Sequence, residues 1–383
     1  KNRKSIKAPI LFVRYPSSIQ TMIKKIDKYI IKKYLSTFFF TMLIFSMISV
    51  IIDFSNNIED FIEEDVTIYQ IVFEYYLNWM LWINGLLIPL YALIAVIFFT
   101  SRMAYDSEII SIFNAGVSFR RLMVPYLMAG GFITILHLLG NHYFIPIGNK
   151  IHYDFQHQYI WKHNDKGKTS DVHLFIGPET TAYIKYYRKQ DSTARDVKIE
   201  RYQDHSLVYI LKARLAEWQG PPNHWKLKDY EIRTFDGLKE TIVLGKKEEM
   251  DTTINITPAD FVEYINQQEM LPTFQLMDYI DTQERRGINN TKRYRVELHR
   301  RTSEPFTILI LTIIGMAIAA RKVRGGIGLH LAVGVGLGAS YIFLSKFSAT
   351  FATNESLPPI IGVWFPNIVF AIIAIWLVSK AQK

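Results

Sequence analysis

Apolar residues gather into six long runs along the chain, and the stretches between them differ sharply in character. Residues 34–52 carry no charge and are long enough to cross about 30 Å of hydrocarbon as a helix. Residues 75–101 and 122–149 form the second and third such runs, and 305–320, 325–345 and 356–379 the fourth, fifth and sixth. Between the second and third lies RMAYDSEIISIFNAGVSFRR, residues 102–121, which reads as a short helix along a membrane face. Ser107 stands where an N-cap is wanted, and Ile109, Ile112, Phe113 and Gly116 share one face, with Glu108 and Ser111 directed elsewhere. Gly116 supplies a C-terminal stop and Val117-Ser118 restarts the next helix. A soluble partner gripping this surface would move the two spans joined to it; a solvated loop is the plainer alternative.

From about residue 151 to 301 the pattern changes to polar, β-branched and aromatic alternation. Short strands are expected at 172–176, 182–187, 198–201, 206–213, 225–228, 231–235, 240–244 and 252–256, with turn signals at Gly177-Pro178, Gly220-Pro221-Pro222 and Asp236-Gly237. Many short, closely spaced strands imply an antiparallel sandwich or roll. From Pro258 the pattern turns helical and leads back to the membrane.

Composition agrees with membrane segments plus one water-soluble part: 383 residues are 49% hydrophobic yet carry 44 Lys+Arg against 35 Asp+Glu. The net charge of +9 is not a nucleic-acid footprint, because the positive residues cluster beside apolar runs. Lys24, Lys25, Lys28, Lys32 and Lys33 precede the first run, arginines flank 102–121, Arg321, Lys322 and Arg324 separate the fourth and fifth runs, and Lys380 and Lys383 follow the sixth. The stretch 53–65 after the first run is acidic instead. The positive-inside rule then places both termini and residues 102–121 in the cytoplasm, and the β-rich part outside it. There is no cysteine, so disulfides and thiolate metal sites are excluded. Residues 1–20 show no small-residue cleavage site after a hydrophobic core, so no cleaved signal peptide is expected.

Residues 294–328, YRVELHRRTSEPFTILILTIIGMAIAARKVRGGIG, resemble the hallmark of the LptF/LptG permeases, membrane subunits of the ABC exporter that extracts lipopolysaccharide. The resemblance covers 24–383 and includes SRMAYDSEIISIFNAGVS after the second run, the ARLAEWQG and HWKL pattern of 213–227, and SLPPIIGVWFPNIVF at 356–370. It implies a helical membrane protein with six transmembrane helices, three plus three, around an inserted periplasmic antiparallel β-jellyroll. It also implies a second LptF/LptG-type chain, a cytoplasmic LptB-type ATPase dimer carrying the ATP and Mg, and an LptC-type jellyroll partner. Residues 1–23 then form a basic cytoplasmic extension, 24–149 the first three spans with a coupling helix at 102–117, 150–257 the jellyroll, 258–301 a helical connector and 302–383 the last three spans. No GxxxxGK[ST] occurs, Lys162 standing where Gly167-Lys168-Thr169 would need a glycine, so nucleotide chemistry is assigned to another chain and this one is read as non-catalytic. Whether the chain is the F or the G paralogue stays open.

The resemblance makes Glu108 the ATPase-coupling residue, inserted into a groove of the ATPase, with Ile109, Ile112, Phe113 and Arg102 beside it; Arg120 and Arg121 serve as topology anchors equally well. Lys150, His299, Arg300, Arg301 and Lys346 sit at the outer ends of runs, and Lys150, Arg300, Arg301 and Lys346 are candidates to hold lipid A phosphates. Lys346 follows an uncharged run within one predicted helix, where snorkelling explains it as well as ligand binding does. Asp53 stands where G-type relatives often carry a substrate-binding lysine, so no site is assigned there. Gly334, Gly336 and Gly338 make a small-residue helix face rather than a dinucleotide loop, and Gly334, Gly338 and Tyr341 are expected at the lateral gate for lipid. Pro89 and Pro366 are expected to kink their helices. His137, His142, His152, His157 and His163 match no metal-ligand spacing, so no metal is expected. The competing class is a mechanotransmitting or secondary-transport protein with a ligand-sensing β domain; a membrane-anchored scaffold is a third.

Overall fold

The computed structural model describes residues 24–63, 66–160, 170–188, 190–204, 206–261, 266–286, 291–323, 325–354 and 357–381. His163, Lys162, Gly167-Lys168-Thr169 and residues 1–23 lie outside these. Among the described residues six helices are long and apolar enough to cross a membrane: Lys25–Glu63, Gln70–Tyr105, Phe119–Ile160, Lys292–Ala319, Gly326–Thr353 and Pro359–Ala381. In hydrocarbon a helix satisfies its own backbone, which is why each uncharged run takes this form. The predicted cores of all six are therefore recovered, and the ends differ. The acidic stretch after the first run is helix as far as Glu63. The third span continues to Ile160 through two π-helical turns, and the fourth already begins at Lys292. Residues 150–160 are thus helical and continue the third helix, and 292–301 are helical and open the fourth. Pro89 and Pro366 lie inside unbroken helices, as do Pro125 and Pro305.

The fourth span is the centre of the bundle, with 61% of its most apolar stretch buried, whereas the first has 11%. Tyr34 and Thr312 hydroxyls pair at 2.8 Å across the first and fourth spans, and Thr100 and Tyr126 at 3.0 Å across the second and third. A buried hydroxyl left unpaired costs about 1–3 kcal/mol, a cost these two pairs avoid.

The β part has six strands, β1 Ser170–Gly177, β2 Thr180–Arg188, β3 Thr193–Gln203, β4 Ser206–Gly220, β5 His224–Asp236 and β6 Lys239–Thr253. They form one antiparallel sheet in chain order. Six replace the expected eight because 225–228 and 231–235 join in β5, and 240–244 runs on in β6 as far as Thr253, leaving 254–256 outside the sheet. The join is a bulge: Asp229 and Lys247 both take positive φ, and the Lys247 N–H donates to Asp229 Oδ1 at 2.8 Å. All three sequence turn signals coincide with strand reversals. The sheet curls over an apolar core that includes Val172, Ile184, Val197, Leu211, Trp225 and Leu227. Ile254, Ile256 and Phe261 close that core from the segment after β6, with Phe261 stacked on Tyr187 of β2 at 3.7 Å. Asn255 Nδ2 donates to the Ile176 carbonyl of β1 at 2.8 Å, which ties the two ends of the sheet together. A six-span helical membrane fold with an inserted antiparallel β domain is what results. Two short helices, Gln267–Met270 and Thr273–Arg285, lead from the β domain to the fourth span.

Candidate coupling site and polar cluster

Between the second and third spans stands a short helix, Glu108–Asn114. Its ends are set by backbone turns rather than by the expected side-chain cap: Ser107 takes a left-handed φ of 62° and makes no capping bond. Gly116, at φ 82°, closes the other end, as glycine does. Ser118 Oγ then caps the third span by accepting from the Arg121 N–H at 3.3 Å. The helix is therefore shorter than the expected 102–117, Arg102–Tyr105 continuing the second span; it starts after Ser107 without the expected side-chain cap and ends at Gly116 as expected.

Its apolar face turns inward. Ile109 is fully buried in the cluster of Ile30, Tyr34, Phe119 and Leu122, and Ile112 and Phe113 pack against the same cluster. These three seat the helix: Ile109 is fully enclosed, while Ile112 and Phe113 stay partly exposed. The outward face carries Ile110, 41% exposed, with Ser111 and Asn114. Glu108 is half-buried, and its Oε2 accepts from the Tyr29 hydroxyl of the first span at 2.8 Å. Arg102 is exposed and reaches Asp106 at only 4.0 Å. Arg121 forks onto Asp27 of the first span, Nη1 to Oδ1 at 3.0 Å and Nη2 to Oδ2 at 2.6 Å. Lys322, from the turn between the fourth and fifth spans, donates to the Tyr105 carbonyl at 3.2 Å. The basic flanks among the described residues thus gather at one end of the bundle, opposite the β domain.

At the β-domain end the fourth span carries a charged cluster. Arg301, 2% exposed, donates to Glu297 Oε1 at 3.0 Å, to Thr273 Oγ1 at 3.2 Å and to the Gln268 carbonyl at 2.9 Å. Arg300 forks onto Glu297 at 2.8 and 3.1 Å and reaches Glu304 at 3.0 Å. Glu269, on the first connector helix, accepts from Trp82 at 3.3 Å and from Tyr153 at 3.2 Å. The charged side chains among these, with Asn141, Asn149 and Lys346, line a cavity of about 50 Å³. The expected lipid-phosphate candidates therefore separate: Lys150 and Lys346 are exposed, while both guanidinium groups are engaged by carboxylates of this chain.

The glycine face packs within this chain. A Cβ on Gly334 would meet Ile97 at 2.1 Å and one on Gly338 would meet Leu90 at 2.5 Å, both on the second span of this chain. Tyr341 is buried, donating to Asn367 Oδ1 at 2.8 Å. Close intrachain packing, not an opening, occupies this side, and the open side carries Val335, Phe343 and Phe347. Among the described residues no group of three or more His, Cys, Asp or Glu is placed to hold a metal ion.

Sequence reasoning missed Asp27, Tyr29, Glu269, Glu297, Glu304 and Lys322. Asp27 had a signal, being the lone acid among five lysines between 24 and 33. Glu297, Arg300, Arg301 and Glu304 had another in their three- and four-residue spacing.

A bundle of six spans, a short seated helix at its basic end and a β roll hung from the other end define a multi-pass membrane transport subunit. The family profile of the lipopolysaccharide export system permeases LptF/LptG matches residues 28–380, and the chain belongs to that family. It is 18% identical over 373 residues to the lipopolysaccharide export system permease protein LptG of Haemophilus influenzae, covering 94% of this chain and 100% of that protein. It is accordingly a multi-pass inner-membrane protein.

Proposed function

We propose that this chain is a transmembrane permease subunit of an ABC exporter that extracts lipopolysaccharide from the inner membrane and hands it to a β bridge in the periplasm. A separate LptB-type ATPase dimer, with its ATP and Mg, supplies the work. A second LptF/LptG-type chain completes the lipid cavity, and an LptC-type jellyroll continues the β domain. Both termini and the Glu108–Asn114 helix then face the cytoplasm, and the β domain faces the periplasm.

The observation that carries this reading is the half-buried Glu108 at the head of a helix whose other face is locked into the bundle by Ile109. A carboxylate so placed offers a partner one charged handle, and the buried face converts displacement of that handle into displacement of the spans. Lipid phosphates meet Lys150 and Lys346 first; Arg300 and Arg301 would reach a phosphate only by releasing Glu297 and Glu304. Secondary transport would want ionisable groups at mid-membrane. The charged cluster instead lies where the fourth apolar run begins, at its β-domain end, which supports an external energy source.

Reconstitution of the chain with its permease, ATPase and LptC-type partners in proteoliposomes tests the reading. Glu108→Arg is expected to leave the chain folded and to abolish ATP-dependent release of lipopolysaccharide. Undiminished release by that variant rejects the coupling role.

A further inference from the structure

We propose that the Asp27–Arg121 ion pair, seconded by the Tyr29–Glu108 hydrogen bond, is the strap that carries motion of the coupling helix into the first span. This rests on the coupling reading of Glu108 given above. The second and third spans are joined to the short helix by the chain itself, so any displacement of it reaches them through covalent bonds. The first span has no such bond to it. Its other end leads to the second span at the far side of the bundle, after Glu63.

The first span is also the least embedded of the six. Only 11% of its most apolar stretch is buried, against 44% for each of the second and third. Its buried residues are Asp27, Ile30, Tyr34, Phe38 and Thr41 near the basic end, and Phe61 near the other. Everything between Thr41 and Phe61 is exposed or half-buried. The fully buried part of its hold on the bundle is thus weighted to its basic end, where it makes an ion pair and a hydrogen bond with the coupling segment beside the Tyr34–Thr312 pair to the fourth span.

The geometry suits a strap. Both carboxylate oxygens of Asp27 receive separate Arg121 nitrogens, at 3.0 and 2.6 Å, and a two-point fork fixes orientation as well as distance. Asp27 is 4% exposed, so water competes little for it, and the Lys24 N–H donates to its Oδ2 at 2.9 Å. Ile30 and Tyr34 continue the same stripe of the helix into the cluster that holds Ile109. Tyr29, on the neighbouring face, touches the carboxylate of Glu108 itself at 2.8 Å. A pull on Glu108 therefore acts on the first span at Tyr29, and a tilt of the third-span start acts on it at Asp27.

The chain has no cysteine, so label pairs introduced into it meet no competing thiol of its own. In the reconstituted complex, labels at Ile58 on the first span and Tyr143 on the third, both exposed, report separation of these helices by electron-electron distance measurement with and without a nonhydrolysable ATP analogue. Asp27→Asn, a near isostere, is expected to leave complex assembly and thermal unfolding close to those of the parent. It abolishes the nucleotide-dependent distance change and lowers lipopolysaccharide released per ATP by about tenfold. Exchanging the pair, Asp27→Arg with Arg121→Asp, restores both, which loss of a merely stabilising contact elsewhere would not do. A full distance change and full release in Asp27→Asn overturns the proposal, as does an exchange variant that folds and assembles without recovery. If Glu108→Arg abolishes release while Asp27→Asn is silent, the strap alone fails. If Glu108→Arg is silent as well, the coupling reading fails and takes the strap with it.

Discussion

Arg301 lies 2% exposed inside the protein and donates its Nε to Glu297, four residues earlier on the fourth span, at 3.0 Å. Its two remaining nitrogens leave the helix for the connector, one to Thr273 and one to the Gln268 carbonyl. A single guanidinium thus joins the bundle to the segment that descends from the β domain. Taking two charges out of water carries a large desolvation cost, offset here by the mutual pairing and by the additional hydrogen bonds.

That balance predicts an asymmetric mutational response. Arg301→Ala leaves Glu297 buried with Arg300 as its one cation, and Glu297→Gln leaves Arg301 without a carboxylate, so each is expected to cost about 3–5 kcal/mol. Replacing both with leucine removes the uncompensated charge and is expected to cost less than the sum of the singles. Unfolding of the purified chain in detergent measures all three. Strictly additive losses would show that the pair is not coupled.

Ile109 and Ile110 are adjacent in sequence and opposite in role. Ile109 is fully buried, so Ile109→Ala is expected to cost about 2–5 kcal/mol of stability. Ile110 is 41% exposed, so Ile110→Ala is expected to stay within about 0.5 kcal/mol of the parent. Ile110→Ala is also expected to weaken retention of the ATPase during co-purification. Equal stability losses at the two positions would contradict the inward orientation of this helix.

The sequence announces the spans because an uncharged run can satisfy its backbone in hydrocarbon only as a helix, and hydropathy registers that directly. It does not announce where those helices end. Residues 53–63 and 292–301 extend their helices into polar surroundings, where continued winding leaves no hydropathy signal. The eight expected strands became six for a local reason: the bulge at Asp229 and Lys247 breaks the alternation that marks a continuous strand. At the candidate site, the face formed by Ile109, Ile112 and Phe113 was legible as apolar, but amphipathicity alone does not say which side meets the bundle. Tyr29 and Glu108 are 79 residues apart, and nothing local to either foretells their contact. The charges at 297, 300, 301 and 304 were visible as a spaced set, whereas the neighbours that bury them come from the connector and from the second and third spans.

The two glycine faces of the fifth span give a sharp contrast. A larger side chain at Gly334 must displace Ile97, whose Cδ1 would lie 2.1 Å from the new Cβ, so Gly334→Leu is expected to cost about 1–3 kcal/mol through overpacking. Gly336 has nothing within 4 Å of that position, and Gly336→Leu is expected to be tolerated in the isolated chain. The open side is where a second permease chain would pack. Gly336→Leu should therefore reduce recovery of the permease pair while leaving the unfolding temperature of the single chain unchanged. A stable Gly334→Leu chain would count against the second-span packing described here.

Asp229 gives the β domain an acid-sensitive joint. The Lys247 backbone N–H and then the Arg214 guanidinium hold its carboxyl below the ordinary value of 3.8. A depressed value in the folded state means that the unfolded chain takes up the proton first as the pH falls. The stabilisation is therefore complete above the ordinary value and is lost as the pH drops from there through the lower folded-state value. Asp229→Asn keeps an amide oxygen to accept from Lys247 and tolerates the left-handed backbone at this position, so it removes the charge and little else. Amide exchange along β5 and β6, followed in the full chain from pH 6 downward, is expected to show protection in the parent falling off below about pH 4, with a shallower dependence in Asp229→Asn. Superimposable profiles for the two chains would remove Asp229 as the source of the acid response and leave the bulge a matter of backbone geometry alone.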